Sequence, residues 1–282
     1  MEDNPSPVIV MCMKWGNKYG PEYVNRLKNG VKRHLKRPHR FICFTDNCYG
    51  INEDIEIYPI SERKITIPKG GIDACWRKID LYQKDLFGLE GTALYLDLDL
   101  VIFESLDPFF DLPGEFLIIR EKDLVKPKIL RKLRPNYDKF HNQVGNSSVF
   151  RFQIGKHTYI YENFWSNPEK AIINYHMEQD YLSAQLIENG VIGYWPKGWC
   201  VSFKNQCIPN GLISYLKNPF LPKNTKMVVF AGSLKMSDVM EGKGHKWYRR
   251  IGKSDWLLNA WLGKEERIID NSINKENPKV SA

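Results

Sequence analysis

The sequence predicts an α/β protein with a predominantly parallel sheet flanked by helices, folded as a single domain. Three observations lead there. An apolar run at Val8 to Met13, an amphipathic stretch from Pro21 to about Leu35 and a second apolar run at Arg40 to Thr45 follow one another. Strand, helix, strand in that order implies a parallel pair joined by a right-handed crossover. The chain has 282 residues, 43% hydrophobic and 26% charged, which is ordinary globular composition at a length that buries a sizeable core. Finally, the apolar run Leu94 to Phe103 is broken only by Asp97 and Asp99. Carboxylates at the end of a buried strand fit the crevice outside strand C-termini, where open α/β sheets bind ligands.

In chain order, Pro7 to Met13 reads as a first strand whose Val, Ile and Met content suits a sheet covered on both faces. A Gly-containing turn, Lys14 to Pro21, can approach a ligand closely. The helix that follows opens with Pro21 and Glu22 and carries Val24, Leu27, Val31 and Leu35 on one stripe. Arg40 to Thr45 is the second strand, ending in Asp46-Asn47, and Ile55 to Ile60 the third. A loop with Lys69-Gly70-Gly71 leads to a helix capped by Asp73 and containing Trp76, Ile79, Leu81, Tyr82 and Leu86-Phe87. Thr92 to Leu96 is the strand that delivers the aspartates. Ser105 to Phe110 is a turn or short helix, Glu115 to Arg120 a strand, and Asn142 to Ser148 enters a strand at 149–152. Lys156 to Trp165 and Glu178 to Glu188 are helix-like. Val191 to Trp195, Cys200 to Phe203 and Met227 to Phe230 are strand-like, and Ser254 to Leu262 closes the domain. The domain spans 1–263, and the segment 264–282 has the composition of a flexible polar tail.

Asp97 and Asp99 stand at i and i+2, so on an extended chain they point the same way. Two ionised carboxylates side by side repel and resist burial unless a cation sits between them. Hard ions such as Mg²⁺ and Mn²⁺ take oxygen ligands and keep substrate phosphates in their shell, so an ion-bridged diphosphate is the first expectation. The plain alternative is a strand ending in a turn whose aspartates bond local backbone.

Composition excludes several classes. The longest uninterrupted apolar run is Val8 to Met13, far short of the roughly 20 residues of a membrane span. The start, Met1 to Pro5, lacks the pattern of a secretory signal. Six cysteines are scattered without a C-x-x-C pair, which reads as reduced thiols and a cytoplasmic address. The net charge of +8 is concentrated at Arg26 to Arg40 and at Lys122 to Lys139. Such patches suit a solvated helix face or peripheral contact with an anionic membrane surface. Neither carries the motif of a nucleic-acid module, so nucleic acid is not an expected partner.

Six stretches, in order along most of the chain, carry a resemblance to a known family: Met13 to Tyr19 with Tyr23-Val24, Phe41 to Asp46, Tyr95 to Asp99, Asn146 to Val149, Glu178-Gln179-Asp180, and Phe230 to Lys235. The chain resembles nucleotide-sugar-dependent glycosyltransferases of the GT-A fold, a Rossmann-like mixed sheet. It is close in pattern to family 8 and to bacterial enzymes of capsule and lipopolysaccharide clusters. The resemblance implies a nucleotide-binding half over about 1–104 and an acceptor and sugar half over about 105–263. It implies that Trp15 or Tyr19 stacks on the base and Asp46 binds its edge, although either aromatic also reads as core packing. It places Lys78 near the donor, Asn146 and Ser147 beside the sugar, and Mn²⁺ or Mg²⁺ between Asp97, Asp99 and the diphosphate. Glu178, Gln179 and Asp180 match an Asp-Gln-Asp element at the reacting carbon, departing at the first residue. Gly232 and Lys235 match a diphosphate-contacting element, but Ala231 replaces the histidine that serves the family as third metal ligand. His245 could supply that ligand, water could fill the position, or metal binding is weak.

The implied partners are a nucleoside-diphosphate sugar, first a UDP-sugar, and a glycan or lipid-linked acceptor. Family-8 likeness favours transfer with retention over inversion. A sugar-nucleotide-binding domain without turnover and a metal-dependent nucleotidyltransferase are the rivals. The second lacks the Gly-rich, Lys-containing signature expected after its first strand.

Overall fold

The computed structural model describes residues 7–63, 65, 73–125, 143–175, 177–230 and 234–264. Seven strands form the larger sheet: β1 Val8–Lys14, β2 His39–Thr45, β3 Glu56–Pro59, β4 Thr92–Leu96, β6 Phe116–Arg120, β7 Gly145–Gln153 and β8 Ile192–Tyr194. Three more, β5 Leu100–Ile102, β9 Cys200–Ser202 and β10 Met227–Val229, make a smaller sheet in the order β5-β10-β9.

The larger sheet runs β3-β2-β1-β4-β7-β6-β8. β1 pairs in parallel with β2, as the sequence implies, and also with β4, and β2 pairs in parallel with β3. β7 enters antiparallel between β4 and β6 and makes the sheet mixed. The chain winds outward from β1 to β3, then returns to the other flank of β1 as β4. That reversal is a topological switch point, and a crevice opens outside the C-terminal ends of β1 and β4.

Alternation along β1 feeds two cores. Val10 and Cys12 pack with Val24, Leu27 and Val31 of helix α1, Pro21–His34, and with the small sheet. Ile9 and Met11 face the opposite core of Trp76, Tyr82, Phe116, Phe150 and Phe152. A strand buried on both sides reads as an unbroken apolar run, which is why it was legible. All six cysteines are free thiols. Among the described residues no helix is long and apolar enough to cross a membrane.

Four local readings differ from the structure. The helix expected through Leu86-Phe87 is one α-turn, Asp73–Trp76, followed by a 3-10 turn, Arg77–Tyr82. All six residues of that turn are buried, so no single apolar stripe defines it. The run Leu94 to Phe103 is two strands in two sheets. The Asp97 amide still bonds Ser148 O at 2.8 Å, whereas Leu100–Ile102 pairs with β10, so the aspartates stand where the chain changes sheets. Asn146 and Ser147 lie within β7 rather than before it. A helix at Pro168–Asn174 was not anticipated, although Asn167, which accepts from the Lys170 amide at 3.0 Å, and Pro168 are readable start signals.

The first basic patch is partly paired within the fold. Arg37 bonds Asp107 and Asp111, Arg40 bonds Glu56, Lys28 pairs with Asp54, and Arg33 donates to Ala260 O. The core of the second patch, with Lys126, Lys128, Arg131, Lys132 and Arg134, lies outside the described residues, as do Lys69-Gly70-Gly71 and the tail from 265.

Phe150 stacks with Tyr95 at 4.8 Å and with Phe116 at 5.6 Å between ring centroids and is fully buried. Phe150→Ala is expected to cost about 3–5 kcal/mol in urea unfolding, because neighbouring rings cannot collapse into the space.

Candidate active site

A cavity of about 300 Å³ occupies the crevice at the switch point. The turn after β1 lines it with Trp15, Lys18 and Tyr19; the connection after β4 contributes Asp97 and Asp99. β7 supplies Asn146 and Ser147, the N-terminus of the helix Glu178–Glu188 supplies Glu178 and Gln179, and the 3-10 turn supplies Lys78. An adjoining apolar cavity of about 230 Å³ holds one carboxylate, Asp80, whose Oδ1 accepts from Trp165, so the reactive side chains gather in the first.

Lys78 is the hub. Its Nζ lies 2.8 Å from Asp97 Oδ1, donates to Ser147 O at 2.8 Å and sits 4.8 Å from the Tyr95 ring centroid. Burial works to lower its pKa, but the charges of Asp97 and Glu178 outweigh that and hold it above the ordinary lysine value. The Tyr95 hydroxyl donates to Asp97 Oδ1 at 3.1 Å. The Ser147 hydroxyl donates to Glu178 Oε2 at 2.7 Å. Glu178 is only 1% exposed and its Oε1 has no partner among the described residues. Burial pushes this carboxyl up to about 7, against the opposing pull of Lys78 and Ser147.

Asp99 accepts from the Tyr19 hydroxyl at 2.7 Å. Burial, with the charge of Asp97 added, pushes its carboxyl up to about 6, so the pair carries more negative charge than its surroundings compensate. That is the condition a divalent cation relieves, and two carboxylates with further positions left to phosphate oxygens and water suit Mg²⁺ or Mn²⁺. Among the described residues no cluster of three or more His, Cys, Asp or Glu completes a metal site.

The other expected residues fall in four groups. Trp15 and Lys235 border the cavity: the Arg77 guanidinium lies 4.6 Å from the Trp15 ring centroid and Lys235 Nζ 5.9 Å from that of Tyr19. Gln179 Oε1 accepts from Asn146 Nδ2 at 3.3 Å, tying the helix to β7. Asp46, Asp180 and His245 do not line the cavity. Asp46 accepts from the Gly16 amide at 3.0 Å and closes the turn after β1, which Gly16 permits with φ +60. His245 Nδ1 accepts from the Ile251 amide at 2.8 Å. Gly232 and Ala231 lie outside the described residues.

Sequence reasoning missed the Tyr95 hydroxyl, although a tyrosine two positions before Asp97 shares its face. It also missed Lys18 and Phe230 as lining residues.

This sheet, with its crevice, defines the class: a mixed α/β fold of the GT-A glycosyltransferase type. Among solved structures, it is similar to an active-site mutant of LgtC at 14% identity, over 80% of this chain and 88% of that one, with a TM-score of 0.53. The galactosyltransferase LgtC in complex with donor and acceptor sugar analogues gives 14% identity, the same coverage and a TM-score of 0.51. The apo structure of the bifunctional glycosyltransferase WbbM gives 13% identity, over 82% of this chain and 46% of that one, with a TM-score of 0.53. No protein-family description and no curated protein sequence matches the chain.

Because the folded Glu178 pKa of about 7 lies above the ordinary 4.5, its stabilising contribution is fully present below pH 4.5 and is lost as pH rises through about 7. Glu178→Gln removes that dependence. Denaturant unfolding at pH 5 and pH 8 is expected to favour the variant by about 2–3 kcal/mol more at the higher pH.

Proposed function

We propose that the protein is a glycosyltransferase, moving a sugar from a nucleoside-diphosphate donor, first a UDP-sugar, to a hydroxyl of a glycan or lipid-linked acceptor. The observation that carries this reading is the aspartate pair at the switch-point crevice, where Asp97 is ion-paired with Lys78 and burial still raises the Asp99 carboxyl. Asp97 and Asp99 would hold Mn²⁺ or Mg²⁺. The bound ion would supply Lewis-acid stabilisation of charge on the departing diphosphate.

The chain's own residues would do the rest. Trp15 or Tyr19 offers a ring to the base, and Asp46 sets the turn that carries them. Lys235, together with Gly232, flanks the diphosphate. Lys78, Asn146 and Ser147 orient the sugar, with Lys78 also holding Asp97 in an ion pair. Glu178 and Gln179 face the reacting carbon, where a buried carboxylate stabilises oxocarbenium character; Asp180 stands behind them at the start of the same helix.

Retention is the favoured outcome. Inversion requires a base on the acceptor hydroxyl. Beyond the aspartate pair, Glu178 is the cavity's carboxylate among the described residues, and it is deeply buried and bonded to Ser147. A domain that binds the donor without turnover is the second reading, favoured by the alanine at 231 where the family it resembles carries histidine.

UDP-, GDP-, CMP- and dTDP-sugars with and without Mn²⁺ form the test. A matched donor is expected to raise the melting temperature by mass action and to be hydrolysed slowly without acceptor; binding without hydrolysis supports the second reading. Asp97→Ala and Asp99→Ala are each expected to lower kcat/KM by about 100-fold or more and to abolish the Mn²⁺-dependent shift. Unchanged turnover in both variants would refute the proposal.

A further inference from the structure

Among the described residues, a group of exposed large apolar side chains gathers on two adjacent segments. The 3-10 turn Gly211–Tyr215 and the residues after it present Leu212, Ile213, Leu216 and Phe220, and the loop at 245–250 presents Trp247 and Tyr248. Leu216 and Trp247 are each 87% exposed and Leu212 is 70% exposed. The two segments are tied side by side. The Tyr215 hydroxyl donates to Trp247 O at 3.0 Å, and the Arg250 amide donates to Ser214 Oγ at 2.8 Å. Side chains that bury well elsewhere are here held outward by a hydrogen-bonded frame, and an apolar patch of this kind on a globular surface marks an interaction site.

Charge says what interacts. From Asn189 to Ser237 the chain contains no Asp or Glu but six lysines, and Lys246, Arg249, Arg250 and Lys253 follow soon after. Lys217, Lys246, Arg250 and Lys253 are exposed. A second copy of the chain would oppose this basic rim to itself, which repulsion disfavours. A soluble polyanion would use the cations but leave Leu212, Ile213 and Leu216 without a partner, since aliphatic side chains offer no face for base stacking. Aliphatic and indole side chains ringed by Lys and Arg match the boundary between acyl chains and anionic headgroups.

We propose that this face docks the protein on an anionic bilayer, with Leu212, Leu216 and Trp247 entering the headgroup and acyl boundary and the basic rim holding the headgroups. The proposal goes beyond the catalytic reading and does not rest on it. It replaces the patch at Arg26 to Arg40, where Lys28, Arg37 and Arg40 are paired with carboxylates of the fold, as the membrane-facing surface. A side chain at Gly244, just before the loop at 245–250, would meet Leu234.

The test is co-sedimentation of the full chain with phosphatidylcholine vesicles with and without phosphatidylglycerol, alongside the double variant Leu216→Ser with Trp247→Ser. The wild type is expected to pellet with the anionic vesicles and to be released by salt. The double variant is expected to partition at least about tenfold less at an unchanged melting temperature. Lys217→Gln and Arg250→Gln are each expected to weaken binding about fivefold. No pelleting, equal pelleting of wild type and double variant, or equal binding to neutral vesicles would overturn the proposal. So would a wild-type dimer in sedimentation velocity that the double variant dissolves, since a second copy would then cover the face.

Discussion

A single buried ammonium lets several carboxylates share one cavity. Without Lys78, Asp97 and Glu178 would face each other across a space that burial strips of solvent, and two uncompensated charges there cost several kcal/mol. With it, Asp97 has a 2.8 Å ion pair, and the same ammonium fixes the Ser147 carbonyl. The 3-10 turn, the end of β4, β7 and the helix from Glu178 are thereby joined by charge and hydrogen bonds as well as by packing. The compensation is incomplete: Asp99 is bonded by the Tyr19 hydroxyl and feels the charges of Lys18 and Lys78, yet burial still raises it. The cavity is poised for a positive charge, and the position of that deficit defines where a ligand's charged end belongs.

The sheet decides why those groups meet. A parallel unit that grows outward from β1 and then restarts on its other flank leaves no loop crossing between the ends of β1 and β4. Into that gap go the turn after β1, held by Asp46 on Gly16, and the connection after β4, where the chain leaves one sheet for the other. β7 enters antiparallel, so its N-terminal end, with Asn146 and Ser147, lies beside the C-terminal end of β4. A parallel strand in that place would bring its opposite end to the crevice.

The basic segments divide by the same logic of compensation. On and after α1, Lys28, Arg37 and Arg40 pair with Asp54, Asp107, Asp111 and Glu56. The stretch from 189 to 237 contains no Asp or Glu, and within it Lys217 adjoins the outward-facing Leu216. The charges are alike, but one set is spent on structure and the other remains available to a partner.

By itself the sequence determined the elements whose signal is local. β1 and β2 are apolar on both faces, α1 shows a one-sided stripe after Pro21, and the aspartate pair stands out because charge interrupts an otherwise buried run. Order of strand and helix was enough for the parallel core. Tertiary structure alone decided that Leu94 to Phe103 belongs to two sheets, that Lys78 is buried against Asp97 rather than solvated on a helix, and that Asp46 and Asp180 stand back from the cavity. Those facts depend on which partner a strand finds and which charge a side chain meets across some twenty to a hundred residues. Periodicity and propensity describe a residue's neighbours along the chain; burial and ion pairing are set by neighbours in space, which only the closed sheet supplies.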